Sequence, residues 1–207
     1  MIEINSTTTI TLEGINEGHH LVTYKGVKCT KSPFDYVLYQ MLIHKVQPDL
    51  IIEIGSNEGG SALYLADLLQ LSGKGVVHTI DVEDRIAAPA KAHPLIQFFN
   101  GGWEMYDLSI PTSYKIVLVI EDSSHTYSNT LQVLNRFAPV VTPGSYLVVE
   151  DGIIDSLGMS ETFDGGPIRA IKTFLKDRSD FFADLYWSDF FGKNATFNPI
   201  GYLKRLN

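Results

Sequence analysis

The 207-residue sequence lacks the features that mark several large classes of protein. Its single cysteine, Cys29, excludes an internal disulfide and a multi-cysteine zinc site. Its 16 Lys and Arg are outnumbered by 24 Asp and Glu, and a formal net charge of -8 argues against nucleic-acid binding, because such proteins are usually basic. No apolar run approaches the roughly 20 residues that cross a bilayer, and the N-terminus has no apolar signal-peptide core. We therefore expect a cytoplasmic protein with neither nucleic-acid nor membrane partners.

From Asp49 onward, apolar strands alternate with helical patterns. The predicted strands are Leu50–Ile54, Val76–Asp81, Ile96–Asn100, Ile116–Glu121 and Tyr146–Glu150, and the predicted helices are Ser61–Leu71, Tyr127–Phe137 and Pro167–Asp177. A further helix is predicted to begin at Pro33 and to end near Lys45. Continuous apolar strands joined by helices indicate a parallel α/β sheet that is covered on both faces.

The two ends of the chain show different patterns. Near the N-terminus, Thr7–Leu12 and His20–Val27 alternate enough to be short strands around the turn-like stretch Glu13–Gly18. Near the C-terminus, Phe181–Tyr186 and Ile200–Leu206 are strand-like with no helix between them, so a terminal hairpin would add one antiparallel strand to the sheet. We expect a domain over residues 33–207 and an N-terminal extension over residues 1–32 that serves as a lid or an oligomer arm.

A glycine turn, Gly55-Ser-Asn-Glu-Gly-Gly60, follows the first predicted strand. A phosphate-binding P-loop would continue with Lys and Ser or Thr, but Ser61 and Ala follow here. A dinucleotide fingerprint requires a glycine where this chain has Asn57. Glu53 at the strand end would repel a diphosphate and would suit a cationic ligand such as S-adenosylmethionine. A tight turn that holds no ligand is the alternative.

The next two strand ends offer sites for an adenosine group. Asp81 ends the second strand, and a carboxylate in this place can accept hydrogen bonds from both ribose hydroxyls. The third strand ends in Asn100, and the small residues Gly101 and Gly102 before Trp103 have room for an adenine ring. A plain turn fits these small residues equally well.

Acidic side chains follow the fourth and fifth strands. Asp122 comes after one strand, and Glu150 and Asp151 close the next. If the two strands are neighbours, three carboxylates converge and repel one another, and Mg²⁺, which prefers oxygen ligands, would relieve that repulsion. For any one of these acids taken singly, a helix cap or an ion pair with Arg or Lys is favoured, whereas for the three together a metal ion is favoured. His125 is either the base that takes a proton from a substrate hydroxyl or a partly exposed histidine at a helix start.

Several segments together resemble one known family. The chain resembles the cephalosporin hydroxylase-type (CmcI-like) group of class I S-adenosylmethionine-dependent methyltransferases, whose relatives include sugar and antibiotic O-methyltransferases that use Mg²⁺. The matching segments are YKGVKCTKSPFDYVLYQ, PDLIIEIGSNEGGSAL, VHTIDVE, VIEDSSHT, and APVVTPGSYLVVEDGIID followed by GGPIRAIKTFL. They extend from about Tyr24 to Leu175, which is most of the chain.

This resemblance implies a fold and a set of site residues. The fold is a Rossmann-like, seven-stranded, mostly parallel sheet with an antiparallel final strand and helices on both faces. The resemblance implies S-adenosylmethionine at the turn and at Asp81, and a metal ion on Asp122, Glu150 and Asp151. Together with the strand-end arguments, the predicted cofactor-binding residues are Glu53, Gly55, Ser56, Asn57, Gly60, Ser61, Asp81, Val82, Gly101, Gly102 and Asp122.

The expected activity is Mg²⁺-dependent methyl transfer to a hydroxyl of a small molecule, a sugar or a natural-product scaffold, by a homo-oligomer. Asp122 and His125 are the expected catalytic residues. Two alternatives remain, namely an accessory subunit that binds the cofactor without catalysis and an NAD-dependent oxidoreductase, which Asn57 and Glu53 disfavour. The aromatic segment Tyr186–Phe191 lines the acceptor pocket, forms a subunit contact or lies in the core of the hairpin.

Overall fold

The computed structural model describes residues 9–206. Its strands are β1 (Thr23–Tyr24), β2 (Val27–Lys28), β3 (Leu50–Ile54), β4 (Val76–Asp81), β5 (Ile96–Asn100), β6 (Val117–Glu121), β7 (Tyr146–Val149), β8 (Phe181–Ala183) and β9 (Tyr202–Arg205). Its α-helices are α1 (Leu12–His19), α2 (Pro33–Val46), α3 (Gly60–Ser72), α4 (Ala88–Lys91), α5 (Tyr127–Phe137), α6 (Gly166–Asp177) and α7 (Leu185–Ser188). Within these residues, no helix has both the length and the apolar character needed to cross a bilayer.

Seven of the strands form one sheet in the order β5-β4-β3-β6-β7-β9-β8. The pairs from β5 to β7 are parallel, and β9 runs antiparallel to both of its neighbours. The predicted Rossmann-like sheet with an antiparallel final strand is therefore confirmed. Because β3 and β6 are neighbours, as are β6 and β7, the residues after these strands meet at one edge of the sheet.

Helices cover both faces of the sheet, as predicted. Along β3, Leu50 and Ile52 lie in the core that contains residues of α5 and α6, whereas Ile51 lies in the core that contains residues of α2 and α3. Successive side chains of a strand point to opposite faces, so a strand buried on both faces is mostly apolar. This requirement explains why the central strands were recognisable as continuous apolar runs.

The predicted N-terminal strands are wrong where the structure describes them. Residues 7 and 8 lie outside the described residues, and residues 9–11 are not in a strand. The stretch read as a turn is helix α1, which begins after Thr11 because the Thr11 hydroxyl accepts a hydrogen bond from the Gly14 amide. The second predicted strand is instead the short β1–β2 hairpin. The domain boundary at residue 32 stays a prediction.

The C-terminal hairpin has the predicted pairing but includes the short helix α7. The Asp184 carboxylate caps α7 by accepting a hydrogen bond from the Tyr186 amide. In the aromatic segment, Trp187 is buried in the core, while Tyr186, Phe190 and Phe191 are exposed. None of these aromatic residues lines the main cavity, so this segment does not form the acceptor pocket in the described structure. The subunit contact stays a prediction.

A buried carboxyl joins α2 to the C-terminal segment. The Asp35 side chain accepts hydrogen bonds from the Thr196 hydroxyl and from the Phe197 amide at 3.1 Å. Burial raises the pKa of Asp35 to about 7. Since the folded pKa lies above the ordinary value of 3.8, the folded state binds this proton more tightly than the unfolded state does.

We therefore expect folding stability to fall as the pH rises from about 4 to about 7. An Asp35→Asn variant should show a flatter dependence, with the slope reduced by up to about 1.4 kcal/mol per pH unit. The measurement is the free energy of urea unfolding at several pH values across this range. Asp177→Asn, on an exposed carboxyl at the end of α6, is the matched control. An Asp35→Asn curve parallel to that of the unsubstituted protein would contradict the prediction.

Candidate active site

A cavity of about 630 Å³ opens at the carboxyl ends of the central strands. Its walls come from α1, from the segment that follows the β1–β2 hairpin, and from the loops after β3, β4, β6 and β7. In open α/β sheets this edge is where ligands bind. The predicted site residues that line it are Gly55, Ser56, Asn57, Gly60, Ser61, Asp81, Val82, Gly102, Asp122, His125 and Asp151.

The glycine turn is fixed by close packing of the backbone. Gly55 has φ +102°, and a Cβ added there would lie 1.9 Å from the Asp122 carbonyl oxygen. Only glycine can bring the end of β3 this close to the end of β6. Asn57, where the dinucleotide fingerprint has a glycine, adopts a left-handed conformation with φ +46°. Asparagine enters this region more readily than most residues, so Asn57 meets the local backbone requirement without a glycine.

Asp81 connects the turn to the neighbouring strand. One of its carboxylate oxygens, Oδ2, accepts hydrogen bonds from the amides of Ser56 and Asn57, each at 2.9 Å. These bonds hold the turn and keep the carboxylate at the cavity wall, where Val82 and Trp103 also lie. The structure thus brings the predicted ribose-binding and adenine-binding positions to one part of the cavity.

Two of the predicted cofactor residues do not line the cavity. Gly101 precedes Gly102 in the turn after β5, and only Gly102 lines the cavity. The side chain of Glu53 is fully buried below the glycine turn after β3. Glu53 accepts hydrogen bonds from the hydroxyls of Ser61 and Thr79, the latter at 2.6 Å, and burial raises its pKa to about 7. Glu53 therefore supports the turn from beneath and does not face the cavity, because both of its carboxylate oxygens are bonded to the buried hydroxyls of Ser61 and Thr79.

Three potential metal ligands converge beside the turn. One ligand atom each of Asp122, His125 and Asp151 lies within 4.8 Å of the other two. The His125 Nε2 atom lies 3.3 Å from a carboxylate oxygen of Asp151. Both His125 and Asp151 adopt left-handed backbone conformations, with φ 57° for each. A non-glycine residue in this region carries strain that often occurs at functional sites.

Glu150, the third predicted metal ligand, lies outside this cluster. It accepts hydrogen bonds from the Lys31 ammonium and from the Tyr39 hydroxyl, each at 2.6 Å, and it does not line the cavity. The backbone turns into the left-handed region at Asp151, and of these two acidic residues only Asp151 lines the cavity in the described structure. Glu150 as a metal ligand therefore stays a prediction, and in the described structure the side chain that stands with Asp122 and Asp151 is His125.

Lys31 also lines the cavity, and the sequence analysis did not single it out. Its side chain is 1% exposed, and its Nζ atom lies 3.1 Å from Asp122 and 2.6 Å from Glu150. Burial alone would lower the pKa of Lys31, but the two carboxylates outweigh that effect and raise it well above its ordinary value. Lys31 is therefore a fixed positive charge at the floor of the cavity.

The charges at this edge of the sheet favour a bound cation. Burial raises the pKa of Asp122 and of Asp151, and other carboxylates nearby add to the effect. Burial would lower the pKa of His125, yet Asp151 and Asp122 raise it. Glu121, which the sequence analysis did not single out, adds a further buried carboxyl with a pKa of about 7, raised by burial. Lys31 offsets only part of this negative charge, and two carboxylates with one imidazole form a donor set that fits a divalent cation.

The sheet order and the cavity above its carboxyl ends define a class I S-adenosylmethionine-dependent methyltransferase. The sequence model of the family described as Rhamnosyl O-methyltransferase/CmcI matches residues 17–206, and the chain belongs to this family. A rhamnosyl O-methyltransferase of Mycobacterium leprae (strain TN) is 31% identical over 192 residues, which cover 88% of this chain and 82% of that protein. The rhamnosyl O-methyltransferase of Mycobacterium bovis (strain BCG / Pasteur 1173P2) is 31% identical over 193 residues, which cover 88% and 78%. The protein is an S-adenosylmethionine-dependent O-methyltransferase.

Solved structures agree with the fold. A CmcI structure described as its Mg-SAM form superposes with a TM-score of 0.68 at 21% identity, and covers 91% of this chain and 78% of that chain. An O-methyltransferase from Bacillus cereus, in complex with SAH, superposes with a TM-score of 0.54 at 16% identity, over 86% of this chain and 84% of that chain. At these identities the likeness concerns the fold alone.

Proposed function

We propose that the protein transfers the methyl group of S-adenosylmethionine to a hydroxyl of a sugar, with the help of Mg²⁺. The observation that carries this proposal is the Asp122, His125 and Asp151 cluster, which shares one cavity with the glycine turn and Asp81. The relatives named rhamnosyl O-methyltransferases support a deoxyhexose unit as the acceptor.

The cofactor half of the cavity is the part formed by the turn. Gly55, Ser56 and Asn57 would follow the amino-acid end of S-adenosylmethionine, and Asp81 would accept hydrogen bonds from its ribose. Gly102 and Trp103 line the cavity where the adenine ring would lie. When bound, S-adenosylmethionine supplies a methyl group on a positively charged sulfur. The chain would fix its orientation, which is a large part of the rate advantage of a reaction between two bound partners.

The metal half of the cavity is the acidic cluster. Asp122, Asp151 and His125 would hold the cation, while Glu150 pairs with Lys31 beside them. A divalent cation supplies Lewis acidity that lowers the pKa of a nearby hydroxyl. The role of His125 as proton acceptor stays a prediction. Because His125 belongs to the cluster, it is equally suited to bind the cation as a ligand.

One wall of the cavity is largely apolar and suits the acceptor. Its apolar residues are Ile153, Ile154, Leu157, Met159, Phe163 and Phe197. Sugars present apolar C–H faces as well as hydroxyls, and a deoxyhexose adds a methyl group. Apolar and aromatic side chains beside a polar cluster are the usual way in which a pocket both holds and orients such a ligand.

Calorimetric titration tests the cofactor half of this proposal. The protein should bind S-adenosylmethionine and should give no comparable signal with NAD. An Asp81→Ala variant should bind S-adenosylmethionine at least about 10-fold more weakly, because the turn loses the two hydrogen bonds that hold it and the ribose loses its acceptor. Asp177→Asn is the matched control. Binding of NAD without S-adenosylmethionine would support the oxidoreductase alternative and refute the proposal.

The acceptor half is tested by incubating the protein, S-adenosylmethionine and Mg²⁺ with a panel of free sugars, rhamnosides and phenols. Formation of S-adenosylhomocysteine with a methylated rhamnoside is the expected result. Cofactor binding without turnover on any acceptor would instead favour the accessory-subunit alternative.

A further inference from the structure

Helix α1 brings a histidine to the cavity that the strand-end analysis did not reach. His19, the last residue of α1, lines the cavity and is only 8% exposed. Its ring packs edge-on against Phe197 with 5.0 Å between ring centroids, and lies against His20 at 3.9 Å. The position of the imidazole is therefore set by contacts on two sides.

The hydrogen bond at Nδ1 identifies the tautomer. The Nδ1 atom of His19 contacts the Asn16 carbonyl oxygen. A carbonyl oxygen can only accept a hydrogen bond, so Nδ1 must donate, and in a neutral ring Nε2 then carries the lone pair. Among residues 9–206, Nε2 of His19 has no hydrogen-bond partner. The ring is thus fixed with a proton-accepting atom available beside the cavity.

The charges around His19 keep the ring neutral. Burial lowers the pKa of His19, and the neighbouring His20 lowers it further. The Asn16 carbonyl and Asp151 act in the opposite direction but do not outweigh burial. His125, the other histidine that lines the cavity beside the acidic residues, belongs to the cluster with Asp122 and Asp151.

The two histidines also differ in whether Nε2 is available. Nε2 of His125 lies 3.3 Å from the Asp151 carboxylate, within the cluster that would hold a cation. A nitrogen that is coordinated to a cation has no lone pair left for a proton. His19 comes from α1 and does not belong to that cluster.

We propose that His19 is the catalytic base, an inference that rests on the proposed methyl transfer. In this step the acceptor hydroxyl gives its proton to Nε2 of His19. The acceptor oxygen forms a bond to the methyl carbon, and the bond between that carbon and the sulfur breaks with its electron pair going to sulfur. The products are the methyl ether, S-adenosylhomocysteine and a protonated His19, which returns its proton to water.

Steady-state kinetics tests the step with a His19→Asn variant. Asparagine can keep the hydrogen bond to the Asn16 carbonyl but lacks an atom equivalent to Nε2. We expect kcat to fall about 100-fold or more, which is typical for loss of a general base, with an unchanged Kd for S-adenosylmethionine. The acidic limb of the kcat/KM pH profile should be present in the unsubstituted protein and absent in the variant. His44→Asn, on the exposed face of α2, is the control.

A ¹⁵N NMR measurement on imidazole-labelled protein tests the same inference without turnover. His19 should be neutral at pH 7 with its proton on Nδ1, and its signals should be identified by their loss in His19→Asn. A proton on Nε2, or a charged ring at pH 7, would overturn the inference. So would a His19→Asn variant whose kcat stays within threefold of the unsubstituted value. A protein that binds S-adenosylmethionine but methylates no acceptor would refute the proposed function itself, which is a separate result.

Discussion

An Asp122→Asn variant is expected to lose methyl transfer by roughly 1000-fold, since a cation-assisted step contributes several kcal/mol. Asp122 has three connections in the site. Its backbone carbonyl packs closely against Gly55. Its carboxylate lies 3.1 Å from the Lys31 ammonium, and it also belongs to the cluster with His125 and Asp151. Asparagine keeps the size of the side chain but removes the charge that a divalent cation requires.

The measurement is the rate of S-adenosylhomocysteine formation with saturating Mg²⁺, together with calorimetry of Mg²⁺ and of S-adenosylmethionine. We expect Mg²⁺ binding to be lost and S-adenosylmethionine binding to change by less than about threefold, because the turn and Asp81 stay in place. Asp177→Asn controls for the removal of one negative charge. Full activity of Asp122→Asn in the presence of EDTA would contradict the metal proposal.

A Lys31→Met variant is expected to lose about 3 to 5 kcal/mol of folding stability, the usual cost of removing one partner from a buried ion pair. Lys31 connects two strand ends, since its ammonium contacts Asp122 after β6 and Glu150 after β7. Methionine keeps the length and apolar character of the side chain but leaves both carboxylates buried without their cation. The measurement is the free energy of unfolding from urea titrations at pH 7.

The double variant Lys31→Met with Glu150→Gln separates charge from packing. Glutamine at position 150 can still bond the Tyr39 hydroxyl, and it removes one of the two uncompensated charges. We therefore expect the double variant to recover at least about 1 kcal/mol relative to Lys31→Met. Lys115→Met, on an exposed lysine, is the control. Equal stability of Lys31→Met and the unsubstituted protein would show that the ion pair has no structural role.

The sheet was predictable because its physical requirement is simple. A strand buried on both faces is mostly apolar, and the apolar runs at β3 and β4 could be bounded from the sequence to the residue, as could the partly exposed edge strand β5. Helix α1 was not recognised, although Thr11 followed by Glu13 is a weak helix-start signal. Its eight residues carry too few apolar side chains for a clear helical pattern.

The site was predictable only as far as strand order determines it. Asp122 and Asp151 follow neighbouring strands, so their meeting was expected once a parallel sheet was assigned. The direction of the Glu150 side chain was not predictable in this way. A shift of one residue in the register of the strand end would turn this side chain to the opposite side. The contacts of Lys31 join positions 91 and 119 residues apart in the chain, and no local pattern indicates such a pairing.

One measurement tests the central claim most directly. The protein is incubated with S-adenosylmethionine that carries a ¹³C-labelled methyl group, a rhamnoside acceptor and Mg²⁺, and the products are followed by NMR and mass spectrometry. The account predicts one labelled methyl ether on the sugar for each S-adenosylhomocysteine formed. Chelation of Mg²⁺ should abolish this transfer, and the Asp122→Asn variant should lose it as well. Release of S-adenosylhomocysteine without a labelled sugar ether, or transfer that is indifferent to chelation and to Asp122, would contradict it.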